Sequence, residues 1–103
     1  MPYSIHMTYI HFEWDEKKNI ANIAKHKISF EEAKSAFHDP HARLISDPTH
    51  SDTSEDRFIL LGLSSSLNLL IVCHCYRESD ELIRIISARK ASKTESSYYG
   101  GTS

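Results

Sequence analysis

The chain has 103 residues, 40% of them hydrophobic and 25% charged, which is the mixture of one ordinary globular domain with no room for a second. Its formal net charge of -2 excludes a protein that grips nucleic acid by bulk positive charge, so any contact with a polyanion must be local. No segment approaches the roughly 20 apolar residues of a membrane span, and Met1 to Trp14 lacks the basic-then-apolar order of a secretory signal. The expected location is the cytoplasm, with no membrane partner.

Met1 to Ile10 carries little pattern, and Met7 is an alternative start. Ile10, Phe12 and Trp14 alternate with His11 and Glu13 as in a short strand. Asp15 reads as the N-cap of a first helix that ends near Lys27, with Ile20, Ile23 and Ala24 as its expected apolar stripe. Its polar side is rich in donors, with Lys18, Asn22 and Lys25 on one face and Asn19, Asn22 and His26 on an overlapping one. Ser29-Phe30-Glu31-Glu32 is a capping box, expected to start a second helix with Phe30, Ala33 and Phe37 buried, Ile28 as staple, and Asp39-Pro40 as its stop.

After Pro40 the period changes. Ala42 to Ser46 is a predicted strand, Asp47 to Asp56 a polar loop and Arg57 to Leu63 an apolar strand. Ser64 to Ser66 and Asn68 read as a turn, and Leu69 to Arg77 and Leu82 to Arg89 form a predicted hairpin around Glu78-Ser79-Asp80-Glu81. A four-residue loop there pairs Arg77 with Leu82 and Cys75 with Arg84. Strict alternation then puts Arg77 and Arg84 on one face and Arg89 with His74 on the other, and a one-residue slip would regroup them. Ala91 to Tyr99 contains a short last helix, and Gly100 to Ser103 is expected to be loose. The order predicts an α+β fold of two N-terminal helices packed on a small, mainly antiparallel sheet, closed by a short C-terminal helix.

Several of these residues fall in a family pattern. Phe12-Glu13-Trp14-Asp15, Asn22, Lys25-His26, Ser29 to Ala33, Phe37 and Asp39-Pro40 resemble the opening of the BrnT family of ribonuclease toxins. Arg57-Phe58, Gly62, Leu70-Ile71-Val72 and the run Arg84 to Ala91 resemble its second half, and Glu95 and Tyr98 fall where the family has an acidic residue and an aromatic. The resemblance covers residues 12 to 99. It implies a RelE-like fold, RNA cleavage without a metal or other cofactor, and inhibition of translation and growth in a bacterial host. It also implies neutralisation by a cognate, BrnA-like antitoxin of ribbon-helix-helix type, as two toxins with two antitoxins, with operator DNA met only through that antitoxin. Where the family usually has glycine after Lys25-His26, this chain has Lys27.

RNA can be cut without metal because its own 2′-OH attacks the adjacent phosphorus. The protein need only take a proton, stabilise a pentavalent dianion and protonate the leaving 5′-oxygen. Arginine suits the dianion, because its planar fork donates two hydrogen bonds and keeps its charge; histidine suits the proton transfers. Arg57, Arg77, Arg84 and Arg89 are thus candidates for phosphate and transition-state contacts, and Lys25 and His26 for the base or leaving-group roles. Lys90, Lys93 and Tyr98 are candidates for RNA binding, with Tyr98 stacking on a base. Arg43 matches no motif and is expected to be neutral.

The rival chemistry is a metal site at Cys73-His74-Cys75, helped by His38, His41 or His50. On a strand the two cysteines share a face and His74 points away, so buried core cysteines are the expectation, with no disulfide and no metal. The alternative function is a toxin-like binding module that pairs with an antitoxin and cuts RNA weakly or not at all.

Overall fold

Local signals set the helices. In the computed structural model, which describes residues 10–46, 57–77 and 81–99, helix α1 (Glu16–His26) begins where the Asp15 side chain accepts from the Lys17 amide at 2.8 Å. Helix α2 (Phe30–Ala36) begins where Ser29 Oγ accepts from the Glu32 amide at 3.0 Å. Glu32 does not complete the expected capping box. Its Oε2 turns instead to the β3–β4 turn and accepts from Ser64 Oγ at 2.6 Å and Asn68 Nδ2 at 2.8 Å. The reciprocal partner of the α2 cap is Asn19, whose Oδ1 accepts from the Phe30 amide at 2.9 Å.

Five strands follow one another into a single sheet: β1 (His11–Glu13), β2 (Arg43–Ser46), β3 (Phe58–Leu63), β4 (Leu69–Arg77) and β5 (Leu82–Lys90), in the spatial order β1-β5-β4-β3-β2. β2 to β5 are antiparallel neighbours, and only β1 runs parallel to its partner, with Phe12 opposite Ile83. Helix α3 (Lys93–Ser96) closes the chain with a full capping box from Ser92 to Glu95. The polar loop predicted between Asp47 and Asp56 lies outside the described residues.

One sheet face carries the core. Ile28, Phe30, Ala33 and Ala36 from the helix side bury against Leu60, Leu70, Val72, Ile83, Ile85 and Ala88. Removing this apolar area from water is the main stabilising term. Trp14 meets Phe30 edge-on at 6.0 Å and Phe12 meets Phe37 at 5.2 Å, so these rings pack. Gly62 sits where α2 ends over β3, and a Cβ there would come within 2.9 Å of the Ala36 carbonyl oxygen.

The apolar stripe expected on α1 is a correction. Ile20 and Ile23 are 60% and 41% exposed, and the residue α1 buries is Asn22. β1 is only three residues long, so it leaves the outer edge of β5 bare beyond Arg84. Asn22 occupies that edge. Its Nδ2 donates to the carbonyls of Ala88 and Ile28, both at 2.8 Å, and its Oδ1 accepts from the Ala88 amide at 3.2 Å. One side-chain amide thus does for Ala88 what a neighbouring strand would, which satisfies backbone groups that would otherwise be buried unpaired.

α1 ends on Lys27, at φ 64° and ψ 25°, with its amide donating to the Ile23 carbonyl at 2.9 Å. The left-handed conformation crowds any Cβ, at a cost of about 1 kcal/mol that glycine avoids. Lys27→Gly is therefore expected to raise Tm by about 5 °C in a thermal melt. An unchanged or lower Tm would show that the lysine relieves the strain in another way.

Candidate active site

Strand parity sorts the candidate residues. On β4, Leu70, Val72 and His74 face the core, and Ile71, Cys73, Cys75 and Arg77 face the other side. Around the hairpin, Arg77 pairs with Leu82 and Cys75 with Arg84, the register expected from a four-residue loop. The register then shifts: His74 pairs with Ile85 but Cys73 pairs with Ser87, so Ile86 is an extra residue in β5. This bulge moves Arg89 opposite Ile71, on the same face as Arg77 and Arg84. The expectation that Arg89 shares a face with His74 is thereby corrected; strict alternation fails at Ile86.

His74 itself is fully buried, ringed by Phe37 at 4.8 Å and Tyr76 at 5.3 Å. Burial pushes its pKa down, and the neutral ring is held by Val72 O at 3.1 Å and the Tyr76 hydroxyl at 3.4 Å. Cys73 and Cys75 lie on the opposite face, so the three donors cannot converge on one ion. Among the described residues no cluster of three ligating side chains occurs elsewhere.

The arginines of the second face are held by carboxylates. Arg84 Nη1 donates to Glu13 Oε2 at 2.9 Å, and Arg77 Nε lies 3.7 Å from the same oxygen. The Glu13 hydrogen bond holds the Arg84 guanidinium still more firmly protonated. About 13 Å further along β4, Arg89 forms a bidentate pair with Glu95, both contacts at 2.8 Å. The Arg89 hydrogen bonds pull the Glu95 carboxyl down to about 2. Arg57 lies one residue before β3 and is half-buried.

Lys25 and His26 reach the site from the other direction. With Lys18 of α1 they line a shallow groove of about 310 Å³ against Ile86 and Ser87, at the bulge and on the exposed edge of β5. Ser87 shares the second face with Arg84 and Arg89 and lies between them in β5. The groove therefore opens onto the arginine-bearing face. Lys90 and Lys93 are exposed beyond it, leading from β5 into α3.

Tyr98 is 64% exposed and borders a separate pocket of about 350 Å³ on the second face, together with Leu61, Ile71, Glu95 and Arg43. Arg43, expected to be neutral, is thus part of a concave surface. Tyr99 turns the other way, and its hydroxyl donates to Asp39 Oδ2 at 2.5 Å, beside the amides of Leu63 and His41. Although burial opposes it, these hydrogen bonds keep the Asp39 carboxyl below its usual value.

The sequence placed Lys18 on a donor-rich helix face and Glu95 in the family pattern without giving either a site role, and it gave none to Ser87 or Glu13. For Glu95 a signal existed in the spacing Ser92-x-x-Glu95. For Ser87 none did, because the bulge that exposes it is a property of pairing.

Two helices on one face of a mostly antiparallel five-stranded sheet, with Arg77, Arg84 and Arg89 on the other, define a small α+β protein. The family model described as the ribonuclease toxin BrnT of type II toxin-antitoxin systems matches residues 14–95, and the chain belongs to that family. The crystal structure of the Brucella abortus ribonuclease toxin BrnT superposes with a TM-score of 0.61 at 27% identity, over 82% of this chain and 99% of that one. No curated protein sequence matches. The chain is accordingly a toxin of a type II system and has an antitoxin partner. Among the described residues no helix is long and apolar enough to cross a membrane.

Proposed function

We propose that the chain is a cytoplasmic, RelE-like endoribonuclease that cuts RNA without a metal, and so halts translation and growth until a BrnA-like antitoxin covers it. The observation that carries this reading is the meeting of Lys18, Lys25 and His26 with Ser87, between Arg84 and Arg89, at the bulged edge of β5. The groove is shallow, so a phosphodiester backbone can lie across it. Arg84 and Arg89 flank it with charge that no ordinary pH removes, which suits the pentavalent dianion. His26 and Lys25 supply proton carriers from the α1 side.

The attack itself needs only the substrate's 2′-OH. Its proton passes to one of His26 and Lys25 as the O–P bond forms, and the other, protonated, gives a proton to the departing 5′-oxygen as its bond to phosphorus breaks, leaving a cyclic phosphate and a 5′-hydroxyl. The antitoxin is read as a ribbon-helix-helix protein that alone contacts operator DNA, in an assembly of two toxins and two antitoxins.

Purified protein is expected to degrade single-stranded RNA in excess chelator, and its induction without the antitoxin is expected to arrest growth. Activity lost in chelator and restored by zinc would overturn the metal-free mechanism. A folded chain that neither arrests growth nor cuts RNA, yet binds the antitoxin, would be the binding module instead.

A further inference from the structure

One line of residues crosses four strands of the second sheet face. Arg89 of β5 lies opposite Ile71 of β4, Ile71 opposite Leu61 of β3, and Leu61 opposite Arg43 of β2. At the usual strand spacing this line is about 14 Å long. It has an arginine at each end and an aliphatic floor between them. Leu61, Ile71 and Arg43 line the pocket of about 350 Å³ described above, and Tyr98 and Glu95 form its wall.

We infer that this trough is a nucleobase subsite: an unpaired base of an RNA strand lies on Leu61 and Ile71 against the Tyr98 ring, with its flanking phosphates drawn to Arg43 and Arg89. The inference rests on the ribonuclease reading and adds to it the place where a base is held. Three observations carry it. The floor is apolar, with Ile45 and Ile59 beside Leu61 and Ile71, as the face of a base requires. Tyr98 is an aromatic ring left mostly in solvent, and stacking on such a ring tolerates any base because each has a π-face. The charge is also of the right sign, since Arg43 and Arg89 stand at the two ends of the line and Glu95 is the one carboxylate among the described residues that line the pocket.

Arg89 also belongs to the edge of β5 beside the Lys25–His26 groove, so a strand with its base in the trough carries an adjacent phosphate to that edge. An apolar side chain of a protein partner would use the floor but not the charge of Arg43.

The test uses a 2′-O-methyl RNA hexamer of mixed sequence, which cannot be cut because its 2′-oxygen is blocked, and a matching abasic hexamer. Binding is read by fluorescence anisotropy, with a thermal melt on each variant. Tyr98→Ala is expected to weaken the hexamer about tenfold and leave the abasic strand unaffected, while Tyr98→Phe stays within about twofold of the parent. Arg43→Ala is expected to weaken both strands, more at low salt. Equal binding of the hexamer to Tyr98→Ala and the parent would overturn the subsite. So would an equal loss on both strands, or loss of antitoxin binding alone, which would make the trough a protein-docking surface. If the parent cuts RNA and Tyr98→Ala changes nothing, only the subsite fails. If the parent binds neither strand and cuts no RNA, the ribonuclease reading falls with it.

Discussion

Arg89→Ala is expected to abolish RNA cleavage and growth arrest at a small cost in stability. The guanidinium is held in place by Glu95 through two contacts of 2.8 Å, so its fork is preorganised beside the β5 edge. Losing one such donor to a developing dianion costs about 3 kcal/mol, or roughly two orders of magnitude in rate. The fold loses far less, because Arg89 and Glu95 are 43% and 32% exposed and water screens the pair; about 1 kcal/mol is expected in a thermal melt.

Arg89→Lys is the sharper variant, since lysine keeps the charge but has no planar fork, and it is expected to lose most of the activity. Lys25→Ala and His26→Ala are expected to behave like Arg89→Ala in the growth assay. Full activity in Arg89→Lys would remove the phosphate-fork role. Three folded, toxic alanine variants would remove the whole site assignment and leave the ribonuclease question open.

The largest loss of stability is expected at Asn22. Asn22→Ala removes three hydrogen bonds, strands the Ala88 amide and leaves the Ala88 and Ile28 carbonyls without that partner, in a place water does not freely reach. Unsatisfied buried groups of this kind cost about 1–3 kcal/mol each, so a loss of about 3 kcal/mol in a urea titration is expected. Asn22→Asp should be worse than alanine, because it sets a carboxylate against two carbonyl oxygens that now receive protons from the amide. A loss under about 1 kcal/mol in the alanine variant would mean that another group closes the β5 edge.

Local chemistry was readable from the chain, and pairing was less so. Asp15 and Ser29 start their helices through bonds that span two and three residues, which a sequence displays directly. The hairpin register follows from the loop length and came out with Arg77 opposite Leu82. Beyond Ile86 the reading fails for a physical reason. An extra apolar residue in an apolar strand leaves no mark, yet it reverses which side of the sheet every later residue faces.

Asn22 was hidden differently. In a helix pattern a polar residue reads as solvent-facing, and only the shortness of β1 makes a buried amide more useful there than an isoleucine. The candidate site was therefore visible as a set of basic residues. Its division into a β5-edge groove and a trough needed the strand partners.

Among the described residues the one parallel pairing ties the first strand to the last. β1 hydrogen-bonds to β5, and α1 reaches Ala88 through Asn22, whereas β2 to β5 each pair with their neighbour in sequence. Short-range pairings form early and long-range ones late. During synthesis β1 and α1 leave the ribosome before β2 to β5 and have no β5 to dock on until those strands have followed. Lys25 and His26 consequently stay apart from Arg84 and Arg89 until β5 has been made, and the groove assembles only on a chain that already carries all five strands.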